Sequence, residues 1–409
     1  MDFKVQASSD VGRKRDQNQD RILARPRWGV FVLSDGIGGK PGGERASQLI
    51  VDAVEQRAPA MARIVGEYDS ESAEGREEIF SLLYEEVQDI NAAVYRAGRD
   101  DAYPRGIGAT MDLVVFGPRG AFILHVGDSR VYLLRNGEVF RITQDHTFYE
   151  HLKANPDLRG HGDPRLYTHI LTRSMGREPR VEADRLYVDI EPGDRCVMCS
   201  DGVTDYFRGQ EIKELLEQAD AEHLAQHLVR AANEAGGKDN SSVIVIDVGD
   251  DFQGQFESRS TTRPDTMRRI NFINKVGLFG ALGFQEALKL LRYVTSRCVE
   301  PGDRVVEKGD GVDGLYLVMD GRLEVVVDEE VVSVLEEGAH FGEVGLFGDR
   351  FRTADVICRE EGFLLVLSTE KLRCFVEQEP VIGVKVLWCL LEQASEMIQR
   401  LMAENSDGA

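Results

Sequence analysis

Basic residues are the first shortage in this chain of 409 residues: Lys and Arg number 49 against 71 Asp and Glu, a net charge of -22. That balance excludes a binder that works by neutralising nucleic-acid phosphates and a surface drawn to an anionic membrane; cations are the partners it favours. Long apolar runs are missing as well. No stretch reaches the roughly 18 uncharged apolar residues of a membrane span, and Met1-Asp2-Phe3-Lys4 is not the opening of a basic-then-apolar leader. Cysteine is sparse and scattered (Cys196, Cys199, Cys298, Cys358, Cys374, Cys389), which excludes a disulfide scaffold and fits free buried thiols in a reducing compartment. Cys196-Val197-Met198-Cys199 has a zinc or redox spacing, but it lacks a second pair and lies in a strand-like run, so core packing is expected. The expected setting is the cytoplasm.

With 42% hydrophobic and 29% charged residues the chain can bury ordinary cores, and its length predicts about two domains. The apolar run Trp28 to Leu33 reads as a buried strand that delivers Asp35 into the glycine-rich loop Gly36-Ile37-Gly38-Gly39. An Asp-Gly pair is first of all a turn signal; here the same device recurs. Asp128, Asp201 and Asp239 also stand at strand ends or in loops beside glycine, and Asp20 closes a charged loop that begins at Gly12. Hard divalent ions take several carboxylate and carbonyl oxygens, with the Gly36 carbonyl a candidate beside Asp35. Two such ions about 3.5–4 Å apart activate a water for in-line attack at phosphorus. Arg15 is placed to hold a phosphoryl group bidentately, although a solvated charged turn is the plainer account of that loop.

Apolar spacing predicts helices over 44–58 and 76–99, strands over 111–116, 121–126 and 131–134, and a tight hairpin at Asn136-Gly137. Residues 144–175 are polar and irregular, the mark of a functional or mobile loop. Strands at 186–190 and 195–199, helices at 210–218 and 221–235, and a strand at 243–248 complete an α+β segment.

The ordered motifs R-x-x-N-Q-D (15–20), D-G-x-G-G (35–39), G-A-T (108–110), G-D-S-R (127–130), S-D-G-x-x-D (200–205) and D-N-S-S (239–242) resemble those of the metal-dependent PP2C protein serine/threonine phosphatases. The resemblance covers residues 1–248 and implies an α/β/β/α sandwich of two antiparallel sheets. It implies that Asp35 bridges two Mn2+ or Mg2+ ions, that Asp201 and Asp239 complete one site, and that the Gly36 carbonyl serves the other. Asp128, with Asp201 and Asp205, matches the family's weaker third metal site. Arg15 then binds substrate phosphate and Asp20 orients water. Gln19 stands where some members carry glutamate, and Ile37 where some carry a histidine proposed as general acid. His125, His146, His161 and His169 read as core or loop residues.

Residues 249–266 are polar and read as a linker. Beyond it, helices over 267–279 and 284–293 precede short glycine-punctuated strands, a pattern of a sandwich or jelly-roll barrel. Residues 341–354 break that pattern: glycines flank backbone amides suited to an anion, Arg352 can neutralise it, and Glu343 can accept from a sugar hydroxyl; alone, this is a solvent loop. Together with P-G-D (301–303), L-Y-L-V-M-D-G (315–321), F-G-E-V-G-L (341–346) and R-T-A (352–354), it resembles a cyclic nucleotide-binding domain over 267–402, followed by a tail at 403–409. The resemblance gives Glu343 the ribose hydroxyl and Arg352 the cyclic phosphate, with Gly342, Val344, Gly345 and Thr353 beside them. Phe351 replaces the usual proline, and Asp355 is expected to add negative charge near the anion. Closing helices are expected at 370–378 and 381–401, the second with Trp388 and Leu391 as a mobile cap.

The expectation is a protein phosphatase acting on phosphorylated proteins and regulated by cAMP or cGMP, with a homodimer left open and no nucleic acid or membrane partner. A non-catalytic sensor, or a phosphatase whose C-terminal barrel serves assembly alone, are the rivals.

Overall fold

The computed structural model describes residues 3–37, 42–68, 70, 72–99, 103, 106–154, 167–207, 210–218, 223–249, 266–343 and 351–407. Two compact units divide the chain, Met1–Glu257 and Ser258–Ala409.

In the first unit two five-stranded antiparallel sheets face each other. The first runs Phe3–Asp10, Ser241–Val248, Arg195–Cys199, Arg130–Arg135, Glu138–Arg141; the second runs Asp184–Asp189, Gly120–Val126, Met111–Phe116, Val30–Ser34, Arg21–Arg25. Helices α1 (Gly42–Glu67) and α2 (Ala73–Ala97) cover the second sheet. The short α3 (Phe148–Ala154) and α4 (Asp201–Thr204) sit in connections, and α5 (Gln210–Gln218) and α6 (Leu224–Ala235) cover the first sheet. The central strands are apolar throughout because both of their faces are covered. Val30, Val32, Leu113 and Val115 pack with Ile50, Val54, Ile79 and Leu83 of α1 and α2. The alternate residues Phe31, Leu33, Val114 and Phe116, equally buried, take the opposite face by the two-residue period of a strand. There Phe3 of the first sheet meets Phe31 and Phe116 of the second, with ring centroids 4.7–5.8 Å apart. Each fully buried side chain of this size contributes about 1.5–3 kcal/mol by area.

The same period settles the Cys-x-x-Cys spacing. Cys199 packs in the α6-side cluster, so Cys196, three residues earlier in the strand, faces the other way. Both thiols are buried and free, and burial pushes that of Cys199 up to about 12.

Several boundaries differ from expectation. Residues Pro26–Trp28 form a 3-10 turn closed by Gly29 at φ +63°, and the strand begins only at Val30. Arg21–Arg25 is a strand that hydrophobic patterning does not announce, because as an edge strand it buries only Leu23. Helix α3 lies inside the stretch expected to be irregular, and residues 155–166 of that stretch, with His161, fall outside the described residues, as do Gly38 and Gly39.

The second unit begins with α7 (Thr266–Lys275) and α8 (Phe284–Leu291) and ends with α9 (Thr369–Gln378) and α10 (Pro380–Asp407). Between them the described strands make one six-stranded antiparallel sheet around a core that includes Val299, Tyr316, Val318, Leu323 and Leu364; no pairing among the described residues closes it into the expected barrel. The two strands expected at 315–319 and 322–327 are one, Gly314–Val327, bent by register shifts around Gly321 at φ +90°. Helix α10 continues to Asp407 across the expected tail. Along its first turns Val381, Val384, Trp388 and Leu391 form an exposed apolar stripe. Trp388 donates its indole N–H to Glu392 Oε1 at 2.9 Å. No described helix is long and apolar enough to cross a membrane.

Candidate functional site

Asp35 leaves the end of the strand Val30–Ser34 and is held by main-chain and hydroxyl bonds. Its N–H donates to Thr110 Oγ1 at 2.9 Å, its carbonyl accepts from Thr110 N–H at 2.8 Å, and Ser34 Oγ donates to the Thr110 carbonyl at 2.7 Å. Thr110 Oγ1 in turn lies 2.9 Å from Ser129 Oγ, so the G-A-T and G-D-S-R motifs brace the Asp35 loop together. Gly36 continues that loop, pairing with Ala109 and donating its N–H to the Gln19 carbonyl at 3.2 Å.

A second set of bonds gathers the other loops around Asn240. Its Oδ1 accepts from Gln19 N–H, and its Nδ2 donates to the carbonyls of Val11 and Gln17, all at 2.9 Å. Ser200 Oγ donates to Asp20 Oδ2 at 2.9 Å and accepts from Ser242 N–H at 2.9 Å. The approach is close enough to forbid side chains. A Cβ on Gly202 would lie 1.9 Å from the Asn240 carbonyl oxygen, and one on Gly36 would lie 2.3 Å from that of Gly43.

Five carboxylates, those of Asp20, Asp35, Asp128, Asp201 and Asp239, thereby converge. Burial, then the neighbouring charges of Asp20, Asp201, Asp128 and Asp239, hold the Asp35 carboxyl well above the usual range. Burial and the charges of Asp128, Asp205, Asp239 and Asp20 do the same for Asp201. Asp20 is raised by burial, against hydrogen bonds from Ser242 and Ser200. Asp128 is pushed up to about 7, by burial first and then by Asp145 and Asp205. Asp20 Oδ1 and Asp201 Oδ1 are buried with no hydrogen-bond partner. Mutually repelling, under-satisfied oxygens without a sulfur among them are the donor set of hard divalent cations, so these residues fit such ions. Arg15 does not point freely into the site: its Nη2 donates to Asp239 Oδ2 at 2.6 Å.

His125 and His146 behave as core residues. His125 Nδ1 pairs with Asp112 in full burial. Burial alone would lower its pKa, but the Asp112 charge and hydrogen bond outweigh that and raise it. His146 Nδ1 accepts from Gly127 N–H at 3.1 Å, and burial holds its pKa down to about 4.

In the second unit Arg352 is buried and its position is fixed at both ends. Its N–H donates to the Asp310 carbonyl at 2.7 Å, and its Nη2 donates to the Gly314 carbonyl at 3.0 Å and to Asp313 Oδ1. The guanidinium lies over the Tyr316 ring at 5.6 Å, and Tyr316 donates its hydroxyl to Asp313 Oδ2 at 2.5 Å. Burial of Asp313 opposes ionisation, but the bonds from Tyr316 and Arg352 prevail and keep its carboxyl below the usual range. Gly342, at φ +96°, leaves room for the Arg352 guanidinium, since a Cβ there would lie 2.6 Å from Nη1. Glu343 Oε2 is buried without a hydrogen-bond partner, 3.8 Å from His340 Nδ1. Thr353 is exposed, and Val344 and Gly345 lie outside the described residues.

A profile of the family described as Protein phosphatase 2C matches residues 12–236, more than half of the chain. The chain belongs to the protein phosphatase 2C family. A second profile, Cyclic nucleotide-binding domain, matches residues 296–379. Protein phosphatase PhpP of Streptococcus pneumoniae is 30% identical over 254 residues, 61% of this chain and 99% of its own length. Serine/threonine protein phosphatase PstP of Mycobacterium tuberculosis is 32% identical over 257 residues, 62% of this chain and 46% of its own length. The solved catalytic domain of PstP in complex with two manganese ions aligns with a TM-score of 0.51 at 30% identity, covering 61% of this chain and 99% of that one.

Within this protein phosphatase the fold brings Asp20, Asp35, Asp128, Asp201 and Asp239 together, with Asp205 one helical turn from Asp201. In the cyclic nucleotide-binding domain one expectation needs correction. Asp355 accepts from Lys308 N–H at 2.7 Å and pairs with Arg304 at 3.6 Å, so its charge is engaged there. The carboxylate on Arg352 is Asp313, which sequence reasoning missed. Its only signal was its position three residues before Tyr316 at the start of a strand. Asn240 and Ser200 were also missed as organisers, although both lie inside quoted motifs.

Proposed function

We propose that the first unit hydrolyses phosphoserine and phosphothreonine on protein substrates with two Mn2+ or Mg2+ ions, and that the second binds cAMP or cGMP and thereby changes the rate. The observation that carries the first part is the convergence of Asp20, Asp35, Asp201 and Asp239 with orphaned buried oxygens on Asp20 and Asp201. Asp35, at the centre of the set, would be shared by both ions. Asp201 and Asp239 would complete one position, and the Gly36 carbonyl the other. When bound, the ions supply positive charge that activates water and neutralises phosphoryl oxygens. Asp20, fixed by Ser200, orients the attacking water. Arg15 exchanges Asp239 for the substrate phosphate, a bidentate acceptor of equal charge sign. Metal-stripped full-length protein is expected to release no phosphate from a phosphothreonine peptide until Mn2+ is added, and chelation should abolish the release again; release in excess chelator would overturn the assignment.

The nucleotide part rests on the buried Arg352 and on Glu343, whose free Oε2 suits a ribose hydroxyl. Arg352→Ala is expected to weaken cAMP or cGMP binding by roughly 100-fold, and Thr353→Ala by less than about tenfold, because a charge-assisted bond to an anion outweighs one from an exposed neutral hydroxyl. Calorimetry on the full chain measures both. Regulation requires that nucleotide distinguish two states of the protein, which typically bounds the effect at about 5- to 150-fold. A rate on phosphopeptide that saturating nucleotide leaves unaltered would limit the second unit to binding.

A further inference from the structure

Among the described residues, His169 groups with two carboxylates of the candidate metal site. One ring nitrogen of His169 and one oxygen each of Asp201 and Asp205 all lie within 4.8 Å of one another. On a six-coordinate ion with bonds of about 2.1 Å, opposite ligands are ~4.2 Å apart and adjacent ones ~3.0 Å, so these side chains have to draw together around an ion. The Nδ1 to Asp205 Oδ2 distance of 3.7 Å is too long for a hydrogen bond, which leaves the ring nitrogen available. Two further observations point to a cation. Asp201 Oδ1 is buried without a hydrogen-bond partner. Asp128, only 8% exposed, lines the same cavity of about 510 Å³, beside Asp201, Asp205 and His169.

The imidazole is carried on a fixed support. The turn Tyr167–Ile170 is tied to the start of α3 by Phe148 N–H donating to the Ile170 carbonyl at 2.8 Å. Two residues further, Thr172 N–H donates to the His146 carbonyl at 2.8 Å. A ligand from this turn, one from α4 and one from Asp205 just after it therefore join segments of the chain that no described backbone bond joins at that point.

We propose that His169, together with Asp201 and Asp205, holds a third divalent ion as a nitrogen ligand and thereby clamps the turn Tyr167–Ile170 to the catalytic loop. This inference rests on the two-ion assignment above, because Asp201 serves both. A nitrogen donor shifts selectivity away from Mg2+, which takes oxygen ligands, toward divalent transition ions. The site thus differs from the oxygen-only pair around Asp35, and it adds a ligand to the third position that Asp128, Asp201 and Asp205 were expected to form.

The test is Mn2+ titration of the untagged, metal-stripped full chain, followed by binding isotherm and by pulsed electron paramagnetic resonance. Two tight ions and one weaker ion are expected. Nitrogen coupling to Mn2+ should appear as the weaker class fills and persist in the presence of excess Mg2+. His169→Gln removes the coupling and weakens the third ion by roughly tenfold or more, while the tight pair remains. The side chain is 62% exposed, so the substitution leaves the fold intact. Asp205→Asn should weaken the same class. Coupling that persists in His169→Gln, or that is absent from the saturated wild-type protein, overturns the proposal. If the tight pair and phosphate release survive that result, the two-ion assignment stands; if they are absent too, both fall.

Discussion

Replacing Asp35 by Asn lowers the metal-dependent rate on a phosphothreonine peptide by roughly a thousandfold, equivalent to about 4 kcal/mol of transition-state stabilisation. The magnitude follows from its place at the centre of the carboxylate set, where it feels Asp20, Asp201, Asp128 and Asp239 at once. A neutral amide there removes the charge that both ions would share. The same substitution should leave the thermal stability of the chelated protein unchanged or higher, since it deletes one charge from a buried group that repels itself. The pair of measurements separates lost chemistry from lost fold. A rate within tenfold of wild type, with metal still required, would remove Asp35 from the mechanism.

Asn240→Ala carries the largest expected cost in stability. Its side chain is buried and satisfies three main-chain groups, the N–H of Gln19 and the carbonyls of Val11 and Gln17. Each buried group left without a partner costs about 1–3 kcal/mol, so the total should reach roughly 3–5 kcal/mol. For a unit of this size that lowers the melting temperature by roughly 10 °C. Calorimetry should find the loss in the transition that Mn2+ shifts, and Mn2+ affinity should fall as well, because the released loop carries Arg15 and Asp20. An unchanged transition would mean that the loop is held by other contacts.

The contrast between these two residues explains what the sequence made legible. Asp35 announces itself because a buried strand has a recognisable run of apolar residues and a glycine follows the carboxylate. Phe31 and Val32 both read as core because the strand is covered on both faces. Asn240 stands in a quoted motif, yet its partners are main-chain groups more than two hundred positions away, and backbone atoms leave no trace in residue types. Asp313 and Asp355 show the same limit with charges. Both are acids near Arg352 in sequence or space, and only the strand register of Gly314–Val327 against Asp355–Ser368 decides which one meets the guanidinium. Helix α3 was hidden for another reason: its seven residues are too few for a helical period to stand out from a polar stretch.

Gly36 and Gly202 have a consequence for lineages as well as for this chain. Neither needs its glycine for a left-handed backbone; each is required because another strand of main chain lies where a methyl group would be. The contact at Gly202 brings the loop of Asp201 against the loop of Asp239, and the one at Gly36 seats the loop of Asp35 on the start of α1. Descendants that keep a working metal centre must therefore keep these two glycines, whatever else drifts. A copy that has given up catalysis is released from that constraint and can fill either position, so a side chain at 36 or 202 marks a degenerate phosphatase even where every carboxylate has survived.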